Sequence, residues 1–246
     1  MPKRIGWIRQ FHKPAAPDLA PLLIFPHAGT GASTYRVFSK ALSAHFDVRL
    51  VQYPGRQDRA AEPFADNLAE LAAGALAEWD DTRPLTVFGH SMGAIVGFEF
   101  VRRAEAAGLN VVAFGASGAV APALVADMPR HPTEDEELLD HLAALDGTGA
   151  DVLGNRDVMR LTLPALRADY AAFDRYSCAP DVVVQTRIHV LGGSDDEHVG
   201  RRHLHAWAQH SAREISVTMF EGGHFYLDQH VEAITELLAA EVVSAR

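Results

Sequence analysis

The sequence contains a single cysteine, Cys178, among its 246 residues. A lone cysteine excludes an internal disulfide framework and agrees with a reducing compartment. Nothing near it in sequence would activate it as a nucleophile, so it reads as a packed or incidental thiol. Long hydrophobic runs are also missing, and none approaches the length of a membrane span. The opening stretch, Met1-Pro2-Lys3-Arg4 and then Ile5-Gly6-Trp7-Ile8-Arg9, is too short and too charged for a signal peptide. A cytoplasmic protein is therefore expected. Positive charge is scarce, with 22 Lys and Arg against 32 Asp and Glu, a formal net charge of −10. Non-specific nucleic-acid binding, which needs a basic face, is disfavoured. An acidic partner would have to dock on a local cluster of arginines. Repeats and low-complexity tracts are lacking too. His203, His205 and His210 match no zinc signature and read as a solvated helix face, so neither a metal nor a cofactor is expected.

What is present is an alternation of apolar runs and amphipathic stretches. Leu22-Leu23-Ile24-Phe25, Val48-Arg49-Leu50-Val51, Leu85-Thr86-Val87-Phe88, Val111-Val112-Ala113-Phe114, Ile188-His189-Val190-Leu191 and Ile215 to Phe220 read as strands. Helical spacing covers Thr34 to Ala44, Asn67 to Trp79, Ala94 to Ala107 and Val231 to Val243. This rhythm predicts an α/β fold: a mainly parallel sheet covered by helices on both faces. The segment from about Leu124 to Pro180 breaks the rhythm, with helical patterns at Glu134 to Leu145 and Val158 to Tyr176 and no convincing strand. The expectation is one domain over residues 1–246, with a helical lid inserted at about 124–180.

In such sheets functional groups collect on the loops after the C-terminal ends of strands. The loop after Phe88 is Gly89-His90-Ser91-Met92-Gly93, placed between a strand and a helix. That context is what a G-x-S-x-G nucleophile elbow demands, because glycines let the neighbouring backbone crowd past a strained serine. A serine nucleophile needs a base, and the base needs an orienting carboxylate, here in the chain order Ser, Asp or Glu, His. Asp195 and Asp196 follow the strand ending at Leu191, and His224 follows the last strand in Glu221-Gly222-Gly223-His224-Phe225. Either aspartate could orient the histidine; the other would be a turn residue. His90 is expected to pack beside the site without shuttling protons. The backbone N–H groups of Met92 and Ala28 are the expected donors to an oxyanion.

Several motifs together resemble the type II thioesterases, discrete α/β-hydrolases that accompany modular polyketide synthases and nonribosomal peptide synthetases. They are Trp7…Phe11-His12, Phe25-Pro26-His27-Ala28-Gly29, Tyr53-Pro54-Gly55-Arg56…Asp58-Arg59, Gly89-His90-Ser91-Met92-Gly93, Leu163-Pro164-Ala165-Leu166-Arg167-Ala168-Asp169 and Gly223-His224-Phe225. The resemblance implies an α/β-hydrolase fold and hydrolysis of acyl groups from the phosphopantetheine arm of acyl or peptidyl carrier proteins, by a monomer. It implies Ser91 as nucleophile, His224 as base, and Met92 with Ala28 as oxyanion donors. Aligning the family's Gly-x-x-Asp-x-x-Val onto Gly193 to Val199 favours Asp196 over Asp195. Two positions depart from the pattern: Glu197 stands where proline is common, and Thr30 where a second glycine is common.

Leu138, Leu142, Met159, Leu163 and Leu166 form the apolar stripe that would line an acyl chamber under the lid. Arg56, Arg59, Arg102 and Arg103 are the candidates for docking an acidic carrier protein. Three other readings share the same residues: a general carboxylesterase, an acyltransferase with an alcohol or amine acceptor, and a non-catalytic scaffold on an inherited fold.

Overall fold

A computed structural model describes residues 6–145 and 160–244. Among these residues seven strands form one sheet in the order β1-β3-β2-β4-β5-β6-β7. They are β1 (Ile8–Arg9), β2 (Pro21–Phe25), β3 (Asp47–Val51), β4 (Leu85–His90), β5 (Val111–Ser117), β6 (Arg187–Gly193) and β7 (Ser216–Phe220). All neighbours pair in parallel except β1, which runs antiparallel to β3. The six strands read from apolar runs are all present. The additional strand β1 is only two residues long, too short to show any alternation, and Glu78 secures it by accepting the backbone N–H groups of Trp7 and Ile8.

Among the described residues the α-helices are α1 (Arg36–Leu42), α2 (Leu68–Glu78), α3 (Met92–Ala106), α4 (Asp135–Leu145), α5 (Leu163–Phe173), α6 (Arg201–His205) and α7 (Val231–Ser244). Strand side chains alternate between two core layers. Leu23, Phe25, Val87 and Val190 face the layer that α2 and α3 cover with Leu71, Ala75, Ile95 and Val101. Leu22, Ile24, Phe88 and Leu191 face the layer that α1 and α7 cover with Phe38, Leu42, Ile234 and Leu238. Each fully buried side chain of this kind stabilises the fold by roughly 1.5–3 kcal/mol. The start of α2 is fixed by its cap: Asn67 Oδ1 accepts the Glu70 N–H at 2.9 Å, and the Glu70 carboxylate reaches back to the N–H of Asp66.

Strand register decides where the site can be. Phe25 pairs with Gly89, His90 with Ser117, Ser117 with Leu191 and Gly193 with Phe220. The C-terminal ends of β2, β4, β5, β6 and β7 therefore share one rim, and the loops that leave them converge. The predicted helix over 134–145 is α4. The one predicted over 158–176 is shorter, α5, because Thr162 and Asp174 bound it; Val158 and Met159 lie outside the described residues.

Candidate active site

Ser91 sits at the turn between β4 and α3 with φ 54° and ψ −126°. Positive φ is unfavourable for a residue with a Cβ and costs about 1–3 kcal/mol, so the surroundings must impose it. They do so by close approach. A Cβ on Gly89 would lie 2.1 Å from the Gly93 carbonyl oxygen, and one on Gly93 would lie 2.1 Å from that of Phe25. The Ser91 N–H donates to the Ser117 carbonyl at 2.8 Å, which ties the turn to β5. Met92 opens α3, where the first backbone N–H groups have no partner within the helix. The jamming of Gly93 against the end of β2 sets the Pro26–Ala28 loop beside this helix start.

His224 and Asp196 meet at the same rim. His224 Nδ1 lies 2.7 Å from Asp196 Oδ2, and both residues are buried. The other oxygen, Oδ1, accepts the N–H groups of His198 at 2.9 Å and Val199 at 3.0 Å. Burial alone would raise the Asp196 carboxyl, but the bond and charge of His224 and the two N–H groups outweigh it and hold the group below the usual carboxylate range. An ionised Asp196 only accepts, so Nδ1 of His224 donates to it. Asp195 is exposed, and its backbone N–H donates to the Gly222 carbonyl. Of the two aspartates, Asp196 is the partner of His224. The His224 ring is 5.1 Å from that of His90, which brings it to the residue preceding Ser91.

Two more histidines crowd the site, and their surroundings keep both neutral. His90 is fully buried, and desolvation followed by the charges of His224 and His27 pushes it well below 6.5. Its Nδ1 meets Ser117 Oγ at 2.9 Å, and that hydroxyl meets the Tyr226 hydroxyl at 2.6 Å. His27 is lowered to about 3 by desolvation and by the charge of His224. His224 is thus the histidine at this rim that is paired with a carboxylate. His90 packs beside the site, as expected. Ser117 and Tyr226 were not visible from the sequence, since a serine at a strand end and a tyrosine after Phe225 carry no motif of their own.

Helices α4 and α5 stand over the rim. A Cβ on Gly29 would meet Leu166 of α5 at 3.1 Å, and His141 of α4 has its ring 5.5 Å from that of His198. Leu138, Leu163 and Leu166 are buried, Leu142 is half-buried, and Met159 lies outside the described residues.

Two expectations are corrected. Arg56 and Arg59 are 6% and 4% exposed and cannot form a docking patch. Arg56 pairs with Asp169; Arg59 bonds Glu62 and the Gln52 carbonyl and lies over the Trp7 ring. Arg102 and Arg103 remain partly exposed, but both bind the buried carboxylate of Glu99. His210 does not belong to a solvated face. It is fully buried, its Nε2 accepting the Ala123 N–H at 3.0 Å and its Nδ1 donating to the Val182 carbonyl at 2.7 Å. Cys178 is half-buried with its thiol pushed up by burial, the opposite of an activated nucleophile.

A parallel sheet with a strained serine at a strand-to-helix elbow, and an Asp-bonded histidine at the neighbouring strand ends, defines an α/β-hydrolase. Its residues 20–242 match the family profile of the thioesterase domain, and the chain belongs to the thioesterase family. It is 41% identical over 96% of its length to the phenyloxazoline synthase MbtB of Mycobacterium tuberculosis, yet spans only 17% of that protein. It is 35% identical to the thioesterase PikA5 of Streptomyces venezuelae, over 98% of this chain and 86% of that one. Among solved structures, the type II thioesterase BorB from the borrelidin biosynthetic cluster superposes with a TM-score of 0.84 at 38% identity, covering 96% of this chain and 97% of that one. Among the described residues, no helix is long and apolar enough to cross a membrane.

Proposed function

We propose that this thioesterase is a type II editing or release enzyme. It hydrolyses acyl groups from the phosphopantetheine arm of carrier-protein domains in a polyketide synthase or nonribosomal peptide synthetase, in the cytoplasm. The observation that carries the reading is the His224–Asp196 bond at the strand-end rim that also holds the strained Ser91. The likeness to BorB and PikA5 supports the substrate class.

In this mechanism Ser91 is the nucleophile, His224 the base and Asp196 the orienting carboxylate. Nε2 of His224 takes the Ser91 proton as Oγ attacks the thioester carbonyl. The N–H groups of Met92 and Ala28 stabilise the oxyanion. When the intermediate collapses the C–S bond breaks, and the pantetheine thiolate receives the proton from His224. Water then adds to the acyl-serine with His224 again as base, releasing free acid and restoring Ser91. Asp196 stays ionised throughout and stabilises the transient imidazolium. The stretch 124–180, which includes α4 and α5, acts as the lid, with Leu138, Leu142, Leu163 and Leu166 shaping the acyl chamber.

The test is intact-mass analysis of an acylated carrier protein incubated with the enzyme and with Ser91→Ala. Free acid and holo-carrier should appear with the intact enzyme and not with the variant. Persistence of a panel of acyl carriers while simple oxygen esters are cleaved would instead assign an ordinary esterase.

A further inference from the structure

The loop expected to supply the Ala28 donor is held at three backbone atoms by side chains from two other elements and from the loop itself. The Thr30 hydroxyl donates to the His27 carbonyl at 2.8 Å, and the Thr30 N–H approaches the same oxygen at 3.4 Å. The Gly29 N–H donates to Asp169 Oδ2 at 2.8 Å, and Asp169 belongs to α5. The Thr30 carbonyl accepts Arg56 Nη1 at 3.2 Å, and Arg56 follows β3. Arg56 and Asp169 are joined by both guanidinium nitrogens: Nη1 to Oδ2, and Nη2 to Oδ1 at 2.8 Å. Both side chains are about 95% buried, and the Arg56 guanidinium also lies over the Tyr53 ring, 5.4 Å from its centroid.

Peptide geometry connects these bonds to catalysis. No cis peptide occurs among the described residues, so the His27 carbonyl and the Ala28 N–H lie in one plane and point in opposite directions. Whatever fixes the His27 oxygen therefore aims the Ala28 N–H. The next peptide, Ala28–Gly29, is fixed in turn through the Gly29 N–H, at a glycine whose φ of +76° leaves it able to swing. A carboxylate doubly bonded to a guanidinium makes a rigid acceptor, because neither group can turn without breaking the other's bonds.

We propose that Asp169, fixed by Arg56, and Thr30 are positioning residues that hold the Ala28 N–H at the angle required by the oxyanion. None of the three touches the reacting atoms. The inference rests on the function proposed above, in which Ala28 is an oxyanion donor. It also gives α5 a second task beside covering the site: this helix sets the donor geometry through Asp169.

The experiment compares Thr30→Val, Thr30→Ser and Asp169→Asn with the wild type and Ser91→Ala. Two readouts are taken: steady-state turnover of an acylated carrier protein, and inhibition by a trifluoromethyl ketone analogue, which gains affinity only when its adduct oxyanion is held. Removing one oxyanion donor outright lowers kcat by ~100- to 1000-fold, so misaiming one should lower it by about 10-fold or more. Thr30→Val and Asp169→Asn are expected to lose kcat with little change in KM, and to lose inhibitor affinity by a similar factor. Thr30→Ser, which keeps the hydroxyl, restores both. A merely structural role would lower thermal stability without this matched loss. If Asp169→Asn is not recovered folded, the Thr30 pair decides. Wild-type kcat and inhibitor affinity in Thr30→Val overturn the positioning proposal while the thioesterase reading stands. Absence of any Ser91-dependent turnover in the wild type brings down that reading and this inference with it.

Discussion

Asp196 Oδ2 lies 2.7 Å from His224 Nδ1, while the adjacent Asp195 faces solvent. One residue of register in the β6–α6 loop separates a group able to orient the proposed base from one that cannot. Replacing Asp196 with Asn keeps the side-chain shape but allows the wrong imidazole tautomer. The expected loss in kcat is about 10⁴-fold. Asp195→Asn should stay within about two-fold of wild type, as exposed substitutions do. Steady-state kinetics of the two variants on one thioester checks both.

Buried neutral histidines set the acid limit of stability. His90 and His210 are both fully buried with lowered pKa, in each case chiefly by desolvation. Above about pH 6.5 neither state of the chain carries the extra proton. As pH falls below 6.5 the unfolded chain binds protons at these positions and the folded chain does not, so stability declines. Tm is expected to fall between pH 7 and pH 5, before most carboxylates titrate, with net proton uptake on unfolding. A flat Tm over that interval would contradict the burial of these rings.

Gly93→Ala places a Cβ where only 2.1 Å separates it from the Phe25 carbonyl oxygen. Backbone on both sides has nowhere to move without displacing β2 from β4. The variant should lose about 3 kcal/mol of stability, at the upper end of overpacking effects. Denaturant unfolding measures it.

Arg59→Ala should act on the fold and not on partner binding. The guanidinium is covered by Trp7 and bonded to the Gln52 carbonyl and to Glu62, which is 34% exposed, so losing its packing and these bonds should cost about 1–3 kcal/mol. A lower Tm with an unchanged KM for carrier substrate is the expected result. A raised KM at unchanged stability would restore Arg59 to a docking role.

The sheet was legible because β2 to β6 are largely buried and read as apolar runs, while β7 at the sheet edge is only half-buried. Ser91 and His224 were legible because each sits on a glycine-rich loop just after such a run. What sequence cannot carry is long-range pairing. Arg56 and Asp169 are 113 residues apart, and nothing local distinguishes Arg56 from an exposed arginine. His210 looked like one of three histidines on a solvated helix, but its environment comes from Ala123 and Val182, which are distant in the chain. Strand β1 exists only because Glu78 and β3 hold it.

In the proposed mechanism every acyl group passes through Ser91. Rapid acid quench of the enzyme mixed with excess acylated carrier protein, followed by peptide mass mapping, tests it directly. The acyl mass is expected on the peptide bearing Ser91, decaying as free acid appears, and absent from Ser91→Ala. Acyl mass on another residue, or turnover that survives Ser91→Ala, would contradict it.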